Sequence, residues 1–136
     1  MSSIFDRLVV GSLPFVPKPV VGAFARRYVA GETLDDAVRV VRELEAEGAM
    51  ATIDVLGESV TRREQTLATR EEYLRVLDTI VANRLPANVS VKPTALGLAI
   101  DPGLIRENCR AICAKAAGSG TFLRIDMEDS PFTEAT

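Results

Sequence analysis

The segment Asn88-Val89-Ser90-Val91-Lys92-Pro93-Thr94-Ala95-Leu96-Gly97 decides the fold of this chain. A short β-branched run ends in a lysine with no acid beside it. A strand buried on both faces has no place for a lysine unless the charge has a task. A second apolar run also ends in charge, Arg124-Ile125-Asp126-Met127-Glu128-Asp129-Ser130, this time in acids. Two strand ends carrying charge, in a chain that alternates strands with helices, point to a site built on strand ends.

Working outward, Asn88 to Lys92 reads as a strand that stops at Pro93, because proline cannot donate to a ladder. The helix before it starts at Thr69-Arg70-Glu71-Glu72, a capping-box pattern. It carries Tyr73, Leu74, Leu77, Ile80 and Val81 on one face and ends at Pro86. Residues 50–56 read as an earlier strand, closed by Gly57. A still earlier helix opens at Thr33-Leu34-Asp35-Asp36, where Thr33 can cap and the acids oppose the helix dipole. Leu34, Ala37, Val38, Val41 and Leu44 recur along it at helical spacing, and Gly48 ends it.

Downstream, Asp101 caps a third helix and Pro102 occupies its first position. Ile105, Cys109, Ile112 and Cys113 form its inner stripe, and Gly118 and Gly120 end it. Thr121 to Ile125 is the third strand. Ser130-Pro131-Phe132-Thr133-Glu134-Ala135-Thr136 reads as the start of another helix. Residues 1–31 form an irregular arm, with short helices over 3–10 and 19–28 separated by prolines.

Strands and helices thus alternate at the spacing of βαβ units, which take about 30 residues or more. The pattern fits an open doubly wound sheet or part of a (β/α) barrel. No Gly-x-Gly-x-x-Gly loop follows a strand, which counts against a dinucleotide-binding open sheet. A full barrel takes about 250 residues, and the chain has 136. The expected fold is α/β: the N-terminal half of a (β/α)8 TIM-type barrel with a preceding helical arm. Residues 1–48 form the arm and first helix, and 49–136 the first three strand–helix units of the truncated barrel.

Composition narrows the chemistry. The net charge is −3 and histidine is absent. The charge gives no reason to expect nucleic acid. Acid–base work near neutrality falls to a perturbed carboxylate, lysine, cysteine or tyrosine, or to a cofactor. Cys109 and Cys113 lack further ligands at metal spacing, so no metal site is expected. So few cysteines fit a reducing cytoplasm. The stretch from Phe15 to Ala25 is too short to span a bilayer, and the first residues do not read as a secretory leader.

Ligands of such folds bind at the carboxyl ends of the strands. Asp54 with the loop acid Glu58, then Lys92, then Asp126 meet that condition. Lys92 can bind a carboxylate as a point charge or act covalently, or simply snorkel to solvent. Asp126, with Glu128 and Asp129 nearby, can orient a cofactor or balance a cation, or belong to a solvated acidic loop. Glu58 can also be a plain helix-starting acid. The residues alone describe a small-molecule site with one lysine and several acids, and a Schiff-base lysine aldolase is one enzyme of that kind.

The residues around these positions resemble a known family. Asn88 to Gly97 resembles the segment around the substrate lysine of proline dehydrogenases, of the monofunctional bacterial type. Arg124 to Ser130 resembles their acidic strand end, Asp54-Val55-Leu56-Gly57-Glu58 their first strand and its loop, and Tyr28-Val29-Ala30-Gly31-Glu32-Thr33 their N-terminal helical region. The resemblance covers nearly the whole chain, with the motifs in family order. Pro93 departs from it, since many members have an aliphatic residue there.

The resemblance implies a (β/α)8 barrel that holds FAD and oxidises L-proline to 1-pyrroline-5-carboxylate in proline catabolism. The flavin takes the hydride and passes electrons to a quinone. It implies that Lys92 binds the proline carboxylate, Asp126 is the active-site acid, Met127 contacts the flavin mainly through its backbone, and Glu58 gates the substrate by pairing with a late arginine. It implies a cytoplasmic protein with peripheral contact at the inner membrane face. The arginines that complete the site lie beyond position 136, so the 136 residues alone are expected to be inactive. The alternative is a non-catalytic half-barrel completed by a second chain.

Overall fold

The structure is a computed structural model and describes residues 30–31, 33–57 and 60–136. The helices expected over 3–10 and 19–28 lie outside the described residues. The chain divides between Thr33 and Leu34. The second unit, Leu34–Thr136, carries the sheet and its helices.

The first helix, α1 (Leu34–Ala46), has Asp35 and Asp36 in its first turn, as the dipole favours. Its apolar stripe faces inward: Val41 is buried, and Leu34 and Val38 pack against the core. Gly48 adopts φ 79°, and its N–H donates to the Glu45 carbonyl, closing the helix as the sequence predicts. Strand β1 follows (Ala51–Asp54), shorter than the predicted 50–56.

Helix α2 runs from Arg63 to Asn83 and corrects the predicted start at Thr69. Gln65 closes the box instead, its side-chain oxygen accepting from the Arg62 and Thr61 N–H groups. Thr69 lies inside the helix, and its hydroxyl donates back to the Gln65 carbonyl. The Thr-x-x-Glu pattern loses to an earlier side chain that satisfies the orphan N–H groups. The buried face is Tyr73, Val76, Leu77 and Ile80, while Val81, expected inside, is exposed. Arg84 ends the helix in a left-handed conformation (φ 49°), two residues before Pro86.

Strand β2 (Ala87–Val91) leads through Lys92 into a 3-10 turn, Pro93–Leu96, with proline at its start. Gly97 then adopts φ 108°, and a Cβ there would meet Leu104 Cδ2 at 3.0 Å. Helix α3 (Pro102–Ser119) begins as predicted, the Asp101 carboxylate accepting from Leu104 N–H at 2.7 Å. Its buried stripe is Leu104, Asn108, Ile112 and Ala116. This corrects the predicted stripe: Cys109 is half-buried and Cys113 exposed. Gly118 sits inside the helix, and Gly120 (φ 67°) ends it. Strand β3 (Leu123–Ile125) is short, and the expected tail helix is a 3-10 turn over Ser130–Phe132.

The three strands form one sheet in the order β1-β2-β3, parallel throughout. Asp54 is the register partner of Ser90, and Ser90 of Arg124. Side chains alternate along a strand and register partners share a face. One face therefore carries Ile53, Val89, Val91 and Leu123, which join α2 and α3 in the core. The other carries Thr52, Asp54, Asn88, Ser90, Lys92, Arg124 and Asp126. The lysine at the end of β2 thus stands on a polar face, not in a strand apolar on both sides.

Candidate functional site

The polar face is tied together strand to strand. Nearest the amino ends, Thr52 Oγ1 donates to Asn88 Oδ1 at 2.9 Å. At the carboxyl ends, Lys92 Nζ pairs with Asp54 Oδ2 at 2.9 Å. The Ser90 hydroxyl donates to the Asp126 carboxylate, and Asp126 N–H donates to the Val91 carbonyl at 3.0 Å. Each link spans two neighbouring strands, so the charges are set by the register of the sheet.

Tyr73 reaches this row from α2. The ring is fully buried in the core, and the phenol donates to Asp54 Oδ1 at 3.2 Å. The backbone of Lys92 and Val55, the residues that follow β2 and β1, also lies near its oxygen. Burial, then the Asp54 charge and its hydrogen bond, push the phenol well above its ordinary range; the two backbone groups pull the other way.

Beyond the strand ends lies an open cleft of about 500 Å³ lined by Lys92, Thr94, Asp126, Met127, Glu128, Asp129 and Phe132. Lys92 keeps about a fifth of its side chain exposed (22%). Met127 is 66% exposed. Glu128 has both oxygens engaged, accepting from Thr94 N–H at 2.7 Å and from the Thr94 hydroxyl. That fastens the chain leaving β3 onto the turn after Lys92.

Of the residues singled out in the sequence, Lys92, Asp126 and Met127 line the one cleft, and Asp54 pairs with Lys92. Glu58 lies outside the described residues. Glu128, noted in the sequence only as a neighbour of Asp126, accepts from the N–H and the hydroxyl of Thr94. Ser90, Thr94 and the Tyr73 hydroxyl do not stand out in the sequence. Ser90 was within reach, since a residue two before Lys92 on a strand shares its face. Tyr73 gave a weaker signal: a buried phenol needs a polar partner, but spacing does not name that partner. Among the described residues no group of acids and thiols has the makings of a metal site, and no helix is long and apolar enough to cross a membrane.

The arrangement is chemically suited to a small zwitterion. A cation and a carboxylate stand at the ends of adjacent strands, facing one space. Met127 and Phe132 add apolar surface beside them.

Comparison with known proteins bears on the same residues. A family model described as proline dehydrogenase matches residues 37–136. Proline dehydrogenase 1 of Bacillus subtilis strain 168 is 36% identical over 112 residues, 82% of this chain and 37% of that protein. Proline dehydrogenase of Deinococcus radiodurans is 30% identical over 115 residues, again 82% of this chain and 37% of its own length. The chain thus spans little more than a third of the length of these relatives.

Proposed function

The chain belongs to the proline dehydrogenase family, and from that premise we propose that the complete protein oxidises L-proline to 1-pyrroline-5-carboxylate with FAD as cofactor. The observation that carries this reading is the placing of Lys92 and Asp126 at one cleft on the carboxyl ends of adjacent parallel strands. Proline is a zwitterion, and the cleft offers one group for each of its charges.

In this reading Lys92 binds the proline carboxylate as a compact cation. Asp126, fixed by Ser90 and by its own backbone bond to Val91, is the active-site acid facing the ring nitrogen. Held at both ends, the substrate has one orientation in the cleft. Glu58 closes over it by pairing with an arginine later in the protein.

The residues present suit one side of a flavin ring. Such a ring needs apolar surface and main-chain groups beside a polar substrate space, and the exit of β3, the outer strand of the sheet among the described residues, supplies exposed Met127 and half-buried Phe132. Met127 would hold it, mainly through its backbone. When bound, the flavin supplies the acceptor for the two electrons that leave proline, and a quinone is the proposed final acceptor. A cytoplasmic protein touching the inner membrane face would meet that quinone.

The strand order supports a (β/α)8 barrel for the complete protein. Among the described strands the order β1-β2-β3 runs one way, as successive strands do around a barrel. Met50, Leu56, Phe122 and Ile125 are exposed on or beside the outer strands, which suits continuation by further strands. The 136 residues alone should therefore bind little flavin and turn over no proline. An imine-forming aldolase lysine must present a neutral amine to a carbonyl, whereas Lys92 donates to Asp54 in an ion pair.

The test is L-proline with a redox dye and the full-length protein. Proline-dependent dye reduction that falls on Lys92→Ala substitution is expected. A full-length, flavin-loaded protein that reduces no dye with proline would overturn the reading.

A further inference from the structure

Two residues not yet given a role, Asp54 and Tyr73, form a connected polar group with the ammonium of Lys92 at the strand ends. Resting on the reading above, we propose that Asp54 and Tyr73 are positioning residues that aim Lys92 at the substrate carboxylate. Asp54 holds the ammonium from the neighbouring strand, and Tyr73 holds Asp54 from the core.

A lysine has a flexible four-carbon stem, and at a strand end it would follow solvent. Asp54 Oδ2 meets Nζ at 2.9 Å, which removes that freedom. A lone aspartate at a strand end is itself mobile, but Asp54 Oδ1 is held by Tyr73 at 3.2 Å. Tyr73 has only two side-chain torsions to fix, and its ring is completely buried. The backbone of Val55 and Lys92 lies close to its oxygen as well. The phenol thus fixes the acid at the end of β1, and that acid fixes the ammonium at the end of β2.

The pairing does not exhaust Lys92, because an ammonium carries three donors. It does lower the net charge facing the cleft. Two effects therefore compete for the sign of an Asp54 substitution. If Asp54 chiefly masks charge, removing it should improve carboxylate binding. If it chiefly aims the ammonium, removing it should weaken binding. The second Asp54 oxygen is engaged by a buried phenol, an arrangement that serves aim and is not needed for masking.

The experiment uses the full-length protein with Asp54→Asn, Asp54→Glu and Tyr73→Phe, each alone and combined with Lys92→Ala. Expected is a rise of about tenfold in KM for L-proline in Asp54→Asn with kcat changed much less, a smaller rise in Tyr73→Phe, and partial recovery in Asp54→Glu. In the Lys92→Ala background neither change should raise KM further, since residues acting through one group are not additive. Equal rises in both backgrounds, or a lower KM in Asp54→Asn, would overturn the proposal. Should Asp54→Asn fail to fold, Tyr73→Phe and Asp54→Glu complete the cycle. A second readout is independent of turnover: acylation of Lys92 by an amine-reactive ester, followed by mass spectrometry without substrate. Labelling several-fold faster in Asp54→Asn is expected, and unchanged labelling refutes the positioning role. A wild-type protein that oxidises no proline, yet shows that labelling difference, would count against the proposed reaction and not against this arrangement.

Discussion

Thr94 and Glu128 are joined twice: the Thr94 N–H donates to one carboxylate oxygen at 2.7 Å and its hydroxyl to the other. Thr94 is buried, so its N–H has no easy recourse to water. Glu128→Ala should cost about 1–3 kcal/mol, the penalty for stranding a buried donor. Glu128→Gln keeps one acceptor for the N–H and should cost less. Urea unfolding of the three proteins checks the ranking. Equal stability in all three would mean that the turn after Lys92 does not depend on the chain beyond β3.

The phenol of Tyr73 gives a pH dependence whose sign can be worked out. Burial and the Asp54 charge raise its folded-state value above the ordinary 10.0. The unfolded chain therefore loses this proton first. Stability from the neutral phenol is fully present below about pH 10 and falls as pH rises beyond it, by up to about 1.4 kcal/mol per pH unit for the single group. Tyr73→Phe should be less stable at neutral pH, by about 1–3 kcal/mol for the lost bond of a buried hydroxyl. Its alkaline decline should be shallower than that of the wild type. Urea midpoints between pH 8 and 11 test both points, and parallel curves would contradict the assignment.

The cysteines of α3 should differ in reactivity. Burial, and then the proximity of Cys113, push the Cys109 thiol up, whereas Cys113 is exposed. Only the thiolate alkylates. Iodoacetamide at mildly alkaline pH should modify Cys113 several-fold faster than Cys109, as peptide mass spectrometry would show. Equal rates would place Cys113 back on the inner stripe that the sequence suggested.

That stripe shows what could be read in advance and what could not. The strand–helix order, the Asp101 cap and the Gly48 and Gly120 stops follow from local chemistry, and each is found in the structure. The stripe of α3 failed because two phases of the same helix compete. Cysteine is apolar enough to pass for core, while Asn108 is not, yet the packing chose Asn108. The start of α2 failed for a similar reason, two capping patterns lying seven residues apart. At the site, Lys92 and Asp126 stood out as charges at strand ends. Asp54 did so too, but its pairing with Lys92 did not, nor did Ser90 or Tyr73, because these contacts are made through sheet register and helix packing, neither of which is local in sequence.

Gly97 tests the turn that carries the chain from Lys92 to α3. Its φ of 108° is one that residues with a side chain rarely adopt, and a Cβ would press on Leu104, itself buried. Gly97→Ala should therefore destabilise by about 1–3 kcal/mol, in the range of other strained backbone positions. Gly118→Ala is the control: it lies within α3 with open space around it, and should stabilise by about 0.4–1 kcal/mol. Thermal unfolding of the two variants should shift in opposite directions.

Asn108 lies on the buried stripe of α3. It is completely buried, its Nδ2 donating to the Leu96 carbonyl at 3.0 Å, while Oδ1 has no protein partner. Asn108→Ala loses the bond and some packing, about 1–3 kcal/mol. Asn108→Asp keeps the shape but puts an acceptor-only carboxylate against a carbonyl, in a place with no donor. Ionising it there costs more than losing the amide, so near neutral pH this variant should be the less stable of the two. Burial raises the folded-state value of such a carboxyl above its unfolded one. Its neutral form, which can donate to the Leu96 carbonyl, is then favoured by folding. Relative stability is therefore gained as pH falls and lost as pH rises through the folded value. The deficit of Asn108→Asp against Asn108→Ala should shrink toward pH 4 and widen toward pH 7. A deficit independent of pH would mean that the carboxylate finds a donor the asparagine does not use.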